Sequence, residues 1–231
     1  DRNYLSTAEA ENLLKSGRTY NYYTYANQTD NYAQDHVQLL TNHRISATWN
    51  LDLNAHYTYG RGFFEEFKPE AALENYGINS KISTDLVRQK WLDNDFYGST
   101  FALNYTGSQK IKFTFGGAWN RYIGRHFGVL QDPFPGREWY RSRSQKTDLN
   151  LYAKGNIILS SVWNAYVDMQ YRTVGYRMLG TADKFLSIDS DNTYSFFNPK
   201  FGLTHQLSEK SKVYGSVSAG SKEPSRQDFV D

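Results

Sequence analysis

The segment at residues 49–59 constrains the fold more than any other part of the chain, because its side chains alternate in character at every position. One set is apolar or aromatic: Trp49, Leu51, Leu53, Ala55, Tyr57 and Tyr59. The intervening set is polar: Asn50, Asp52, Asn54, His56 and Thr58. Side chains on a β-strand alternate faces with a period of two, so the segment is predicted to be a strand with one apolar and one polar face. A strand of about 10 residues with this pattern and with aromatic ends suits the wall of a membrane-spanning barrel.

The same rhythm recurs along the chain and predicts about eight strands. The other seven predicted strands are residues 35–43, 96–106, 111–122, 147–157, 163–172, 197–207 and 212–221. The connections between them alternate between short and long. Short turns are predicted at 44–48, 107–110, 159–162 and 208–211, and long loops at 61–95, 123–146 and 174–196. Outer-membrane barrels have short periplasmic turns and long extracellular loops, so we predict an all-β, antiparallel up-and-down transmembrane barrel segment.

Composition agrees with a membrane wall and excludes several other classes. The chain has 231 residues, of which 16% are aromatic, and its mean hydropathy is −0.71. Many aromatic residues at low hydropathy suit a surface at a lipid–water boundary. The net charge of +2 gives no electrostatic argument for nucleic acid, and the absence of cysteine excludes a disulfide scaffold and a thiolate metal site. We expect no cofactor.

The flanking segments are predicted to be loops. Residues 1–34 read as a loop with a short helix, in which Ser6 and Glu9 form a capping box and Gly17 ends the helix. Residues 35–221 form the meander of about eight strands, and 222–231 begin an extracellular loop. Within the first long loop, residues 69–77 read as a short helix with a proline start and a glycine stop. Residues 132–136 carry turn chemistry.

The last strand is followed by the most specific string in the sequence. It contains Lys222, Glu223, Pro224, Arg226, Asp228 and Phe229. The string resembles the barrel motif of TonB-dependent outer-membrane receptors, in which a basic residue, one further residue, proline and an acidic–hydrophobic pair follow an aromatic strand. A second resemblance to this family covers residues 28–36 and 56–68. Together with the strand and loop pattern, the resemblance covers most of the chain.

The resemblance implies an internal piece of a barrel of about 22 strands in the outer membrane of a Gram-negative bacterium, without its N-terminal plug domain. The whole protein would import a scarce nutrient such as an iron–siderophore, haem, cobalamin or a similar chelate. Its expected partners are membrane lipid, lipopolysaccharide, the plug and the TonB complex. Aromatic and basic loop residues are the candidates for cargo contact: Phe63, Phe64, Arg125, His126, Phe127, Trp139 and Tyr140.

Several alternatives remain open at this stage. The chain could be a stand-alone eight-stranded barrel with an adhesive or structural role, or a soluble β-sandwich that binds carbohydrate. Glu223 and Arg226 could form a simple ion pair at the rim, which would contribute little. Asp189 and Asp191 are a weak calcium candidate, because they lack the spacing of an EF-hand. No set of residues has catalytic spacing, so we predict that the protein is not an enzyme.

Overall fold

The computed structural model describes residues 6–17, 27, 30–225 and 228. The elements are helix α1 (Thr7–Ser16) and strands β1 (Asp30–Arg44), β2 (Trp49–Ala72), β3 (Ser83–Tyr105), β4 (Ile111–Asp132), β5 (Arg137–Ile158), β6 (Trp163–Gly180), β7 (Ser190–Ser208) and β8 (Ser211–Ser218). The strands form one antiparallel sheet in sequence order, with β1 and β8 at its edges. The predicted up-and-down meander is confirmed. A sandwich of two packed sheets and a small barrel closed by β1 and β8 both disagree with this topology.

Helix α1 begins and ends where the sequence predicts. The Ser6 hydroxyl accepts a hydrogen bond from the Glu9 backbone N–H at 3.4 Å, and the Glu9 carboxylate accepts one from the Ser6 N–H at 2.8 Å. Gly17 ends the helix with a positive φ of 54°, which glycine adopts at little cost. Among the described residues, no helix is both long enough and apolar enough to cross a membrane.

One face of the sheet carries a continuous apolar row. Leu53 on β2 lies opposite Phe101 on β3. The row continues through Gly117, Leu151, Tyr171 and Phe197. Leu53 is 51% exposed and Phe197 is 59% exposed. Water would penalise such a row, whereas a lipid environment accommodates it. We call this side the outer face.

The opposite side, which we call the inner face, is joined by polar contacts across the strands. Asp52 accepts hydrogen bonds from Asn42 at 2.6 Å and from Asn104 at 2.9 Å. The Asn104 side-chain oxygen in turn accepts a hydrogen bond from the Thr114 hydroxyl at 2.9 Å. This chain of contacts links β1 to β4. The alternation read from residues 49–59 therefore corresponds to two chemically distinct faces.

The strands are longer than the sequence pattern indicates, and the predicted long loops are wrong in extent. Strand β1 begins at Asp30, and β2 to β7 continue well past the apolar band, whereas β8 ends at Ser218. The connections at this end, which we call the upper end, are only residues 73–82, 133–136 and 181–189. Beyond the apolar band both faces of each strand are mixed in character, so the period of two no longer shows in the sequence.

The predicted helix at residues 69–77 is also wrong. Strand β2 continues to Ala72 through an irregular register between Lys68 and Ala71. A 3-10 helix then covers only Leu73–Tyr76, and Gly77 ends it in the left-handed conformation with a φ of 68°. The glycine stop was placed correctly, but pairing with β3 keeps the preceding residues extended. The predicted turn after Asp132 is confirmed, since β4 ends there and β5 begins at Arg137.

A small hydrophobic core lies at the upper end. It consists of Leu73, Tyr76, Leu86, Leu130 and Trp139, each at most 6% exposed. A second cluster contains Met178, Ala182 and Ile188 and fixes the base of the 181–189 loop. These two clusters bring the upper connections together over the inner face.

Candidate functional site

A cavity lies on the inner face at the upper end. Its volume is about 640 Å³. Its lining includes Tyr32, Phe64, Lys90, His126, Tyr140 and Asp183. The sheet register places Phe64 opposite Lys90, and Gly128 lies between Lys90 and Tyr140. The site is therefore built by neighbouring positions on β2 to β5, together with the 181–189 loop.

Five of the seven candidate cargo contacts lie on or just behind the wall of this cavity. Phe63, Phe64, His126 and Tyr140 line it. The buried Trp139 ring packs against Tyr140 at a centroid distance of 5.0 Å and covers Gly128. A β-carbon at Gly128 would lie 2.4 Å from the indole, so only glycine leaves room for this ring.

Three candidates, one of which is Phe63, differ from the rest in the face of the sheet on which their side chains lie. Phe63 borders the cavity, but its ring packs against Trp91 at 4.5 Å. Phe127 stacks on the opposite side of Trp91 at 5.7 Å. Arg125 forms an ion pair with Asp93 at 2.7 Å. Because neighbouring residues on a strand point to opposite faces, each of these residues lies on the outer face beside an inner-face neighbour.

Two basic residues that sequence reasoning missed, Lys90 and Arg88, complete the inner site together with Asp183, which the sequence suggested only as a neighbour of the calcium candidates. The Lys90 ammonium lies 2.8 Å from an Asp183 carboxylate oxygen, and Arg88 lies 3.7 Å from the same oxygen. The Trp139 indole N–H donates a hydrogen bond to the other Asp183 oxygen at 3.1 Å. Asp183 is more than 90 positions from Lys90 along the sequence. No local pattern could have paired them, because the contact depends on how the 181–189 loop folds inward.

Arg88 connects the cluster of Lys90, Asp183 and Trp139 to strand β2 and to the 73–82 connection. Its guanidinium forms an ion pair with Glu66 at 2.6 Å and donates a hydrogen bond to the Tyr76 hydroxyl at 2.8 Å. It also lies over the Tyr76 and Trp139 rings at 5.7 and 5.8 Å. Only 9% of the residue is exposed. A planar guanidinium can satisfy all these partners at once, which a lysine ammonium cannot.

Asp183 and Tyr76 are the two groups of this cluster that lie in the upper connections, and the pKa of each is shifted. Burial alone would raise the pKa of the Asp183 carboxyl, but Lys90, Trp139 and Arg88 outweigh it and hold that pKa below its ordinary value. Burial raises the pKa of the Tyr76 phenol, despite the opposing effect of Arg88. Asp183 is therefore an anion and Tyr76 a neutral phenol at neutral pH.

The segment after β8 turns over the inner face and forms a second ionic cluster. Glu223 forms ion pairs with Lys146 at 2.5 Å and with Arg172 at 2.7 Å. Arg172 also pairs with Asp148. The Glu223 side chain is only 8% exposed. This cluster joins the segment to β6 and β5, which are two and three strands away from β8.

Fewer contacts are described for the other residues of the predicted barrel motif. Asp228 accepts hydrogen bonds from the Ser225 N–H and hydroxyl at 2.6 and 2.8 Å. Lys222 is exposed and Pro224 follows Glu223 in irregular backbone. Arg226 and Phe229 lie outside the described residues, and so does the proposed pair between Glu223 and Arg226. The described contacts of Glu223 show that it has two cationic partners within the barrel wall.

Glu223 should make the docking of this segment sensitive to acid. Burial of its carboxylate opposes ionisation, but hydrogen bonds from Lys146, its own backbone and Arg172 lower its pKa from 4.5 to about 2. A pKa that is lower in the folded state stabilises the fold above the unfolded value, and this stabilisation is lost as the pH falls from about 4.5 to about 2. The difference corresponds to about 3 kcal/mol.

The matching variant is Glu223→Gln. We expect the intact protein to lose on the order of 3 kcal/mol of stability between pH 4.5 and 2 through this group, and the variant to lack that component. Urea unfolding at a series of pH values measures it. A variant with the same slope as the unmodified protein over this range would contradict the assignment.

The calcium candidates have separate partners. The Asp189 carboxylate accepts a hydrogen bond from the Gly180 N–H at 2.7 Å, whereas Asp191 lies 3.7 Å from Arg177. Among residues 6–17, 27, 30–225 and 228, no group of three or more acidic or histidine side chains is arranged to hold a metal ion.

Comparison with known proteins decides the family. A family model described as "TonB dependent receptor-like, beta-barrel" matches residues 1–231. The chain belongs to the β-barrel family of TonB-dependent receptors. No curated protein matches the sequence. The family consists of receptors and transporters rather than enzymes.

Solved structures of TonB-dependent receptors share the fold. The chain is similar to the open form of the ferric-catecholate import receptor Fiu from E. coli K12, with a TM-score of 0.60, 16% identity and coverage of 94% of this chain and 40% of Fiu. It is also similar to the siderophore receptor PiuA from Acinetobacter baumannii, with a TM-score of 0.56, 14% identity and coverage of 82% of this chain and 32% of PiuA. The chain thus spans well under half the length of these receptors.

Family membership orients the sheet. The protein lies in the outer membrane of a Gram-negative bacterium, as predicted. In barrels of this type the short turns are periplasmic and the apolar face contacts lipid. The upper end is therefore extracellular, the inner face is the lumen wall, and the cavity opens near the extracellular mouth.

Proposed function

We propose that the intact receptor imports a metal chelate across the outer membrane and that the cavity contributes to its binding site. The observation that carries this proposal is the convergence of aromatic rings with a lysine on the lumen wall, at the extracellular end of the strands. Ligand sites in proteins are concave and largely apolar, with a few polar groups that fix orientation. Phe64 and Tyr140 supply the apolar surface, and Lys90 supplies a positive charge.

Among chelates, an iron–siderophore is the cargo that the comparisons favour. Fiu is described as a ferric-catecholate import receptor and PiuA as a siderophore receptor. Haem and cobalamin are the other members of the proposed cargo class. The described residues contain no acidic or histidine group suited to holding a bare metal ion, which agrees with recognition of a chelate as a whole.

The proposal also includes partners outside this chain. We infer that further strands pair with the exposed edges β1 and β8, giving a barrel of about 22 strands. We also infer that a plug domain fills the lumen and that the TonB complex drives its rearrangement. Unpaired strand edges cost several kcal/mol per buried group in lipid, so the edges need such partners. Lipid and lipopolysaccharide would surround the outer face.

Uptake by cells tests this function. We expect cells producing the intact receptor to accumulate a radiolabelled ferric chelate only when TonB is present, and a panel of siderophores, haem and cobalamin would identify the cargo. Phe64→Ala should weaken binding of that cargo about ten- to a hundredfold, since burying a phenylalanine side chain contributes about 1.5–3 kcal/mol.

Phe127→Ala is the matched control, because it removes the same ring from the outer face of the sheet. Its binding should stay close to that of the unmodified receptor. Uptake that is independent of TonB would contradict the transport proposal. Equal losses of binding in the two variants would contradict the assignment of the cavity as a ligand site.

A further inference from the structure

We propose that Lys90, Arg88 and Trp139 form an anion-binding subsite of the cavity, which the 181–189 loop occupies with its own Asp183 carboxylate until an anionic ligand displaces it. The chemical class of the ligand is a multiply charged anion such as a catecholate or carboxylate chelate. The inference rests on the proposed function only for the identity of that anion.

The first observation is the set of donors around Asp183. Lys90, Arg88 and the Trp139 indole N–H converge on this one carboxylate at 2.8, 3.7 and 3.1 Å. Two cations and a neutral N–H donor from β3 and β5 are a recognition set for an anion, and charge-assisted hydrogen bonds of this kind are the strong ones. The carboxylate also lines the cavity, so a ligand there would meet it directly.

The second observation is that the loop is held in an unfavourable backbone conformation beside this contact. Lys184 and Phe185, which follow Asp183, have φ values of 60° and 59°. Residues with a β-carbon avoid this region, and such strain persists only where surrounding contacts impose it. The Asp183 carboxylate also accepts a hydrogen bond from the Lys184 N–H at 3.0 Å, and the Ala182 N–H donates to the Leu186 carbonyl at 2.8 Å. We expect loss of the Asp183 contacts to let the backbone at Lys184 and Phe185 relax.

The third observation concerns the part of the loop that release of Asp183 would affect at the extracellular surface. The loop is anchored at its base by buried Ala182 and Ile188, while residues 184–187 are exposed. The Phe185 ring lies against Gly77, where an added β-carbon would be 2.8 Å from it. Asp183 therefore links the subsite to the contact between the 181–189 loop and the 73–82 connection. Its displacement would free the exposed part of the loop and leave the base in place.

Protease sensitivity of the intact receptor tests the loop without any ligand. Lys184 is an exposed trypsin site directly after Asp183. We expect Asp183→Asn to increase cleavage after Lys184 by about fivefold or more, as quantified by mass spectrometry, because the amide no longer pairs with Lys90. Asp191→Asn removes an exposed carboxylate that pairs with Arg177 and is the matched control, with an unchanged rate. Equal cleavage in the Asp183→Asn variant and the unmodified receptor would overturn the proposal.

Ligand binding tests the competition. The probes are ferric tris(2,3-dihydroxybenzoate), a trianion, and a neutral ferric trihydroxamate, and tryptophan fluorescence reports the Kd of each. Asp183→Asn should bind the trianion about tenfold more tightly with little change for the neutral probe, and Lys90→Gln should weaken trianion binding. An unchanged or weaker trianion affinity in Asp183→Asn would overturn the competition.

The two experiments also separate this inference from the proposed function. If neither ferric probe binds the intact receptor but inorganic pyrophosphate binds more tightly to Asp183→Asn, the anion subsite stands and the chelate proposal fails. If ferric probes bind with no difference between variants, the receptor function stands and the subsite is overturned.

Discussion

Replacing Arg88 by methionine is expected to destabilise the extracellular part of the barrel by about 3–5 kcal/mol, the range for breaking a buried ion pair from one side. The substitution keeps most of the side-chain volume but removes the 2.6 Å partner of the Glu66 carboxylate, which is 13% exposed and then retains only the more exposed Lys68 at 3.0 Å. It also removes the donor to Tyr76 and one of the two cations near Asp183. Hydrogen exchange of the intact receptor, measured at residues 66–90, would report the loss.

The double variant Arg88→Met with Glu66→Met provides the control. It removes both partners, so no uncompensated charge stays buried, and it should be clearly more stable than Arg88→Met alone. Arg88→Lys should fall between the unmodified protein and Arg88→Met, because an ammonium keeps the charge but cannot reach Glu66 and Tyr76 together. A double variant no more stable than the single one would contradict this account.

Placing lysine at Leu53 is expected to lower the free energy of unfolding of the intact barrel by about 2–4 kcal/mol, the cost of a charge on the lipid face near mid-depth. Leu53 lies in the apolar row and is 51% exposed on the outer face. Urea unfolding in lipid vesicles, followed by tryptophan fluorescence, measures the difference.

Asn54→Lys is the adjacent control. Asn54 lies on the inner face, where its amide donates to the Thr100 hydroxyl at 3.3 Å and accepts from the Thr41 N–H at 3.3 Å. Its replacement should cost no more than about 1 kcal/mol, because a lysine there reaches a polar lumen. Similar losses at both positions would contradict the assignment of inner and outer faces.

Much of the fold followed from local patterns. The period of two at residues 49–59 identified both faces, and the capping residues Ser6 and Gly17 marked helix α1. The Gly77 stop and the turn after Asp132 were also placed correctly. These features depend on neighbours in sequence, which is why they could be predicted.

The upper end could not be predicted in the same way. Residues 61–72 carry glycine, aromatic and charged residues without alternation, yet they pair with β3 as far as Ala72. Their pairing is stabilised by contacts between strands, such as the ion pair between Arg88 and Glu66. Tertiary contacts override weak local preferences in segments of this kind.

The candidate site shows the same division. Sequence reasoning found Phe64, His126 and Tyr140 as aromatic or basic residues within the predicted long loops, but it could not separate them from Phe63 and Phe127. The register of four strands makes that separation, because a shift of one position exchanges the two faces. It also could not pair Lys90 with Asp183, because the two meet only when the 181–189 loop folds across the sheet.

By itself, the sequence determined that the chain is a meander of antiparallel strands with one lipid-compatible face, because side-chain alternation within a strand is a local property. Only the tertiary structure decided how far the strands extend, which rings share the lumen wall, and that Asp183 lies between Lys90 and Arg88. Those features depend on contacts between residues distant in sequence. The chemistry of a residue type limits which partners it can have, but only the fold brings one of those partners within reach.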